Sequence, residues 1–256
     1  MNLLSALGTF LIALALTGCA TAPQTLAPDV ATGMKRLAVV SVTGEEFIRQ
    51  YVGYTMFGNE LEKKAIGSWG LDKAYEEQIG AAAEKVFGAT VVKATYPVAD
   101  FARINELKGT WDVPAFWGPH WDVIEAPVRD LCAVNKLDGV LVAARQKEGD
   151  PFAGTPQFVY GAGIYTARGG VSLLHLLSAV SLMDCKTGKV LVTQWLYKSS
   201  TGKYRERLVT APLPTDVSRT QIPQWTPEIE SRLRQELLDL PKAAWTNTLR
   251  SMLPQK

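Results

Sequence analysis

Apolar and polar positions in the first half of the chain predict strands that are separated by helices. Arg36–Val42 is a short apolar run, which indicates a strand buried on both faces. Asp72–Phe87 repeats its apolar residues at helical spacing, and Thr90–Tyr96 follows as a predicted strand. A second helix over about 125–137 leads into a predicted strand at Val140–Ala144. This alternation favours helices packed on a sheet.

The second half of the chain predicts consecutive strands and then helices. Gln157–Arg168, Val171–Asp184 and Val190–Ser199 are rich in β-branched and apolar residues, and turn residues separate them. Thr226 is a predicted helix cap followed by apolar residues every four positions, and a last helix is predicted over Lys242–Met252. The three strands therefore form a predicted antiparallel meander.

Together, these elements predict an α/β (α+β) fold with a mixed sheet, a meander toward its carboxyl end and helices packed on it. We predict one domain over residues 35–256, with inserts at about 44–70 and 97–122. In the first insert, Phe47–Phe57 is the predicted first arm of a hairpin that extends toward Trp69.

The amino-terminal segment contains a candidate targeting signal. An uncharged apolar stretch runs from Leu3 to Leu16, and Leu16-Thr17-Gly18-Cys19 ends it. The stretch has the length of a signal-peptide apolar region and is too short to cross a bilayer of ~30 Å as a helix. The motif resembles the lipobox of bacterial lipoproteins, although no Lys or Arg precedes the apolar stretch. The alternative is a buried helix with Cys19 as a core thiol.

The lipobox resemblance implies that residues 1–18 are a signal peptide and that Cys19 carries the lipid. Ala20, rather than an Asp, follows the cysteine, and in lipoproteins this implies the periplasmic face of the outer membrane. Residues 19–34, which include a segment rich in small residues and Pro, then form a predicted linker. The predicted partners are the membrane, through this lipid, and an envelope protein.

Composition narrows the function further. The chain has 256 residues, with 27 Lys and Arg against 25 Asp and Glu, which gives a formal charge of +2. Because nucleic-acid binding needs a clustered basic surface, no nucleic-acid partner is predicted. No segment after Cys19 is long and apolar enough in sequence to predict a membrane-spanning helix.

The element order also resembles a domain of periplasmic assembly lipoproteins: the curli-secretion lipoprotein, the activator lipoprotein of a penicillin-binding protein, and the Pel exopolysaccharide lipoprotein. Arg36–Val42, Asp138–Val142 and the hairpin Leu182–Val190, with its Asp-x-x-Thr-Gly turn, carry the resemblance. The resemblance implies a non-enzymatic protein that binds other envelope proteins, and a homo-oligomer stays open.

Residues able to carry chemistry are few. His120 and His175 lie far apart in sequence and outside any metal-ligand spacing, so neither a metal nor a cofactor is predicted. His175 lies among leucines, which favours a structural role on a strand. Gly161 and Gly163 lack the third glycine of a nucleotide-binding fingerprint and indicate a close-packed or bulged strand instead.

An aromatic loop is the strongest candidate for a partner or ligand surface. It comprises Trp111, Phe116, Trp117, His120 and Trp121. Such a loop either forms a small core of its own or presents rings to a partner. As the alternative to a binding protein, Asp112, His120 and Asp122 would serve a periplasmic enzyme acting on cell-wall glycan or peptide.

Cys132 and Cys185 are the two cysteines that remain beside Cys19. An even pair in an oxidising compartment indicates a disulfide, and the predicted topology brings both residues near the same strands. Alternation along the strand does not decide which face Cys185 takes, so two separate core thiols remain the alternative.

Overall fold

The computed structural model describes residues 25–53, 55–106, 119–168, 171–199, 201–213, 217 and 220–254. The strands in these ranges are β1 Arg36–Val42, β2 Glu46–Val52, β3 Glu60–Ala65, β4 Thr90–Val91, β5 Gly139–Arg145, β6 Lys147–Gly149, β7 Phe158–Ala167, β8 Val171–Asp184, β9 Val190–Trp195 and β10 Thr210–Pro212. The α-helices are α1 Pro28–Gly33, α2 Leu71–Phe87, α3 Val98–Ala102, α4 Glu125–Asn135, α5 Tyr204–Arg207, α6 Pro227–Asp239 and α7 Lys242–Ser251.

Strand β8 belongs to two half-sheets at once. Its residues 178–184 pair antiparallel with β5, and its residues 171–177 pair antiparallel with β7. Both partners lie along the same edge of β8: the N–H of Gln146, directly after β5, donates to the carbonyl of Leu177, and Leu177 pairs with Gly161 of β7. Strands β9 and β10 occupy the opposite edge. The sheet therefore forks between β5 and β7.

The two half-sheets continue away from this fork. Strands β1 and β4 extend the first half-sheet in parallel beside β5, whereas β2 and β3 extend the second beside β7. The chain crosses from β1 to β2 through Thr43, Gly44 and Glu45. The mixed α/β sheet with its β7–β8–β9 meander confirms the predicted fold class, and the predicted hairpin in the first insert is present as β2 and β3.

Alternation along β1 explains how helices cover both faces of the first half-sheet. Leu37 and Val39 belong to a core shared with α2, α6 and α7, whereas Ala38, Val40 and Val42 belong to a second core shared with α3 and α4. Successive side chains of a strand point to opposite faces, so one apolar strand supplies both cores.

The strand predicted over Thr90–Tyr96 was too long, because only Thr90 and Val91 form β4. The chain then turns away from β1. The Tyr96 hydroxyl donates to the carboxylate of Glu76 on α2, and its ring packs edge-on against Phe101 of α3, with the centroids 5.1 Å apart. These contacts outweigh the β propensity of the segment.

The part of the predicted linker that the structure describes packs against the domain. Leu26 is buried, and its N–H donates to the carbonyl of Met252 at 2.7 Å. Pro28 is the first residue of α1, a position that its fixed φ favours, and Met34 is buried in the first core. Leu26 and Met34 supply the apolar anchors that composition alone did not reveal. Within the described residues, no helix combines the length and hydrophobicity needed to cross a membrane.

Candidate functional site

A cleft of about 290 Å³ opens at the fork of the sheet. The end of β5, the start of β2 and the segments on either side of residues 107–118 contribute to it. Its walls comprise Glu46, Lys63, Ile104, Asn105, Glu106, Pro119, His120, Arg145, Gln146, Lys147 and Tyr160. In open α/β sheets, ligands bind beyond the carboxyl ends of the strands, which is where β1 and β5 end here.

Asn105 ties together the two strand ends that form the floor of the cleft. It ends a turn of 3₁₀ helix, and its Nδ2 donates to the carbonyl of Val42 at 2.5 Å. Its Oδ1 accepts from the N–H of Arg145 at 3.0 Å. One side chain therefore satisfies a backbone acceptor at the end of β1 and a backbone donor at the end of β5, which fixes the mouth of the fork.

The charged groups on one wall of the cleft are paired with one another. The Glu46 carboxylate accepts from Arg145 Nη1 at 3.1 Å and from Lys63 Nζ at 3.3 Å. The Lys63 ammonium also lies 5.2 Å from the centroid of the Tyr160 ring. Burial opposes the charged form of Lys63, but the hydrogen bond to Tyr160 and the charge of Glu46 raise its pKa above the usual value. One carboxylate therefore pairs with two cations on this wall, and their charges are partly compensated.

Asp72, at the start of α2, organises the turn that crosses the fork. Its carboxylate accepts from the Ser41 hydroxyl at 2.7 Å and from the N–H of Gly44 at 2.8 Å. Burial raises the pKa of Asp72 although these hydrogen bonds oppose the shift, and burial together with the charge of Asp72 raises the pKa of Glu45. The positive charge of Arg145 partly offsets both effects, because it favours the ionised form of each carboxyl group.

Gln146 is a buried amide with one unsatisfied atom. Only 2% of the residue is exposed, and its Nε2 donates to the carbonyl of Lys147 at 3.0 Å. This bond assigns the amide orientation and leaves Oε1 buried without a hydrogen-bond partner in the described part of the chain. Leaving a buried acceptor unsatisfied costs about 1–3 kcal/mol. The residue lines the cleft, so a ligand donor could remove this cost.

Lys147 contributes a second lysine cation to the cleft, and its contacts differ from those of Lys63. Its ammonium lies 4.5 Å from the centroid of the Phe158 ring, a cation–π contact. Burial lowers the pKa of Lys147 below its usual value. No carboxylate among the described residues pairs with it, which distinguishes it from Lys63.

The predicted aromatic surface divides where the structure describes it. His120 lines the cleft, whereas Trp121 is half-buried against the second core of the domain. Asp122 is exposed and is not among the residues that line the cleft with His120. Trp111, Asp112, Phe116, Trp117 and the lipid-site residue Cys19 lie outside the described residues.

Cys132 and Cys185 are joined by a disulfide with their Cα atoms 5.5 Å apart. The bond links α4 to the turn that follows β8 and lies beside the second core. Of the alternatives that the sequence left open, the structure therefore contains the bridge. The free-thiol count of the oxidised protein is its chemical test.

His175 takes the structural position that its leucine neighbours indicated. It is fully buried on β8, and its Nδ1 lies 3.1 Å from the carbonyl oxygen of Gly161. Burial lowers the pKa of His175 to about 4, although the Gly161 carbonyl favours the protonated form. Gly161 has φ +62° and confirms the predicted irregular strand. A neutral, buried imidazole suits a packing role.

Sequence reasoning missed Glu46, Arg145 and Gln146 as site residues. A signal for two of them was present: Arg145 and Gln146 are polar residues placed directly after the buried apolar run Val140–Ala144. Polar residues at the carboxyl end of a central strand are the usual position for ligand contacts in such sheets. Glu46 carried no signal, because it follows a turn of unremarkable composition.

A scan against protein-family models finds no match to this chain, and a search of curated proteins finds no similar sequence. A search of solved structures finds the PelC dodecamer from Paraburkholderia phytofirmans at 11% identity and a TM-score of 0.34, with 91% of this chain and 96% of that chain covered. A variant of the same protein gives 12% identity and a TM-score of 0.33, over 92% of this chain and 96% of that chain. The hypothetical protein CT253 from Chlamydia trachomatis gives 10% identity and a TM-score of 0.32, over 83% and 99% of the two chains. Scores of this size carry no argument about function.

Proposed function

We propose that this protein is a lipid-anchored binding protein of the bacterial cell envelope, which acts without catalysis as an assembly factor on the periplasmic face of the outer membrane. The observation that carries the binding part is the cleft at the fork of the sheet. It is concave, it lies where two half-sheets separate, and buried and charged side chains line it. Concave sites of this kind are the usual ligand sites of small domains.

The bonding inside the cleft favours binding over catalysis. A general base must be free to take a proton, but the Glu46 carboxylate is held by both Arg145 and Lys63. The Asn105 amide is likewise occupied by two backbone groups. These contacts preorganise the walls of a binding site and leave those groups little freedom for proton transfer.

Two independent features support the location. The apolar stretch ending at Leu16-Thr17-Gly18-Cys19 resembles a lipoprotein signal. The Cys132–Cys185 disulfide is of the kind that persists in oxidising compartments such as the periplasm. A location in the cell envelope explains both features together.

The enzymatic alternative has less support. It requires Asp112, His120 and Asp122 to converge on one pocket. Of the two members that the structure describes, His120 lines the cleft and Asp122 does not. Without that convergence, no acid and base pair is assembled from the described residues.

Site-specific photocrosslinking in intact cells tests the proposed function. A photoreactive residue replaces Lys147 in the cleft, and the matched control replaces Lys85, which is exposed near the opposite end of α2. We expect a discrete crosslinked product from position 147 and none from position 85. Identical products from both positions, or no product from position 147, would contradict a binding role for the cleft.

Fatty-acid labelling tests the anchor separately. Because only a thiol at position 19 can take the lipid, Cys19→Ser should no longer incorporate labelled fatty acid and should leave the membrane fraction. Labelling that persists in this variant would remove the lipoprotein part of the proposal while leaving the cleft result intact.

A further inference from the structure

Arg145 and Gln146 are consecutive residues that both line the cleft. Gln146 Oε1 is a buried acceptor with no partner among the described residues. Arg145 uses Nη1 for Glu46 and its backbone N–H for Asn105, and within the described ranges Nε and Nη2 have no hydrogen-bond partner. A ligand that binds both residues must donate to Gln146 Oε1 and accept from the Arg145 guanidinium.

Electrostatics favour a neutral ligand in this position. Glu46 offsets one of the two positive charges of Arg145 and Lys63, Lys147 adds a third cation, and the charge of Arg145 also acts on the carboxylates of Glu45 and Asp72, so charges of both signs surround this position. An anionic ligand would be repelled by these carboxylates, whereas a cationic ligand would meet the guanidinium. A neutral group with its own donor and acceptor meets neither cost.

The aromatic part of the cleft argues against a sugar. Sugar rings usually stack on an open aromatic face, and the aromatic rings that line the described part of the cleft are the phenol of Tyr160 and the imidazole of His120. The Lys63 ammonium lies over the Tyr160 ring, 5.2 Å from its centroid. Ile104 and Pro119 add apolar surface, which suits small side chains beside a polar backbone.

We propose that the cleft binds an uncharged peptide segment of a partner protein, whose backbone N–H donates to Gln146 Oε1 and whose neighbouring carbonyl accepts from Arg145. This inference rests on the proposed binding function and names the chemistry of its ligand. A peptide backbone supplies both a donor and an acceptor within one short uncharged segment, which are the two groups that these side chains can bind. The size of the cleft, about 290 Å³, limits the segment to a few residues.

The test uses a minimal probe, N-acetylglycine N-methylamide, and nuclear magnetic resonance of the full chain with labelled side-chain amides. The probe has backbone donors and acceptors but no charge. It is titrated to about 50 mM, because a fragment of this size binds in the millimolar range. We expect saturable shifts of the Gln146 side-chain amide and of Arg145 Nε–H.

Two controls separate the hydrogen bonds from nonspecific effects. N-acetylsarcosine dimethylamide lacks N–H donors and should bind at least about tenfold more weakly, the equivalent of ~1.4 kcal/mol. Gln146→Leu should abolish the shift of Arg145 Nε–H, whereas Gln235→Leu, on the surface of α6, should retain it. If Gln146→Leu does not fold, the comparison of the two probes on the wild-type protein decides alone.

Each result has a definite meaning. Equal binding of the two peptide probes, or no saturable shift with either, overturns the peptide assignment. Saturable binding of methyl β-glucopyranoside without binding of the peptide probe would assign the cleft to a glycan instead. A crosslinked partner at position 147 together with a negative peptide titration would retain the proposed function and refute only this inference.

Discussion

Acidification should destabilise the protein through His175, whose imidazole is neutral and fully buried. In the unfolded chain a histidine titrates near 6.5, whereas burial lowers the pKa of the folded His175 to about 4. As the pH falls below 6.5, His175 therefore takes up a proton in the unfolded state but stays neutral in the folded state. The contribution of the neutral His175 to the free energy of unfolding is complete above pH 6.5 and is lost as the pH falls toward 4.

The size of the effect follows from the two pKa values. Between pH 7.5 and pH 4.5, a shift of this size removes about 2.5 kcal/mol of unfolding free energy, at ~1.4 kcal/mol per pH unit. The matched variant is His175→Asn, because Asn Nδ2 can donate to the Gly161 carbonyl in place of Nδ1 and does not titrate. The variant loses some packing at every pH, but it should lose about 2.5 kcal/mol less than the wild type over this interval.

Urea unfolding followed by tryptophan fluorescence at both pH values measures the difference. Carboxylates contribute equally to both proteins and cancel in the comparison. Asp150, near the same core, does not interfere with this comparison. Burial alone would raise its pKa, but hydrogen bonds lower it below the usual value. Its contribution to the free energy of unfolding is therefore lost only below pH 4.5. Equal losses of stability in wild type and His175→Asn would refute the argument that the buried imidazole resists protonation.

Three further predictions concern the disulfide and the fork. The oxidised, denatured protein without its signal peptide should show no titratable thiol, and reduction should cost roughly 4 kcal/mol of stability on the chain-entropy model, whereas two titratable thiols would disprove the bridge. Gly163→Ala should prevent close pairing of β7 with β2, because an added Cβ would lie 2.1 Å from the Ile48 carbonyl oxygen; a thermal melt unchanged from wild type would contradict this contact. Asn105→Ala should cost about 1–3 kcal/mol by leaving the Val42 carbonyl and Arg145 N–H unpaired, and Asn105→Asp, which retains only an acceptor, should recover part of that loss in the same melt.

Local periodicity predicted most elements of the fold, for reasons visible in single strands and helices. Arg36–Val42 was predicted and observed with the same bounds, because both faces of β1 are buried and its apolar run has no interruption. The helix predicted over Asp72–Phe87 differs from α2 by one residue, since Gly88 ends it with φ +63°. Val171–Asp184 was also predicted with its observed bounds.

The pairing of β8 could not be predicted in the same way. Its fourteen residues carry one continuous apolar pattern, although the first half pairs with β7 and the second with β5. Nothing in that pattern marks the change of partner between Leu177 and Ser178. The division depends on where β5 ends and where Gly161 bends β7, and both determinants lie elsewhere in the chain.

The same long-range cause explains why the candidate site was missed. Motif searches look for chemistry in neighbouring residues, but the cleft joins Glu46, Lys63, Asn105 and Arg145 from four separated segments. Each of these polar groups replaces a contact that a continuous sheet would have supplied: Asn105 satisfies two strand ends, and Arg145 and Glu46 pair across the gap between the half-sheets. Gln146 differs from these groups, because its Oε1 accepts no hydrogen bond from the residues that the structure describes. The fork therefore fixes its strand ends with internal hydrogen bonds but leaves Gln146 Oε1 and the remaining N–H groups of Arg145 open among the described residues, and this contrast is the physical reason to look for the partner there.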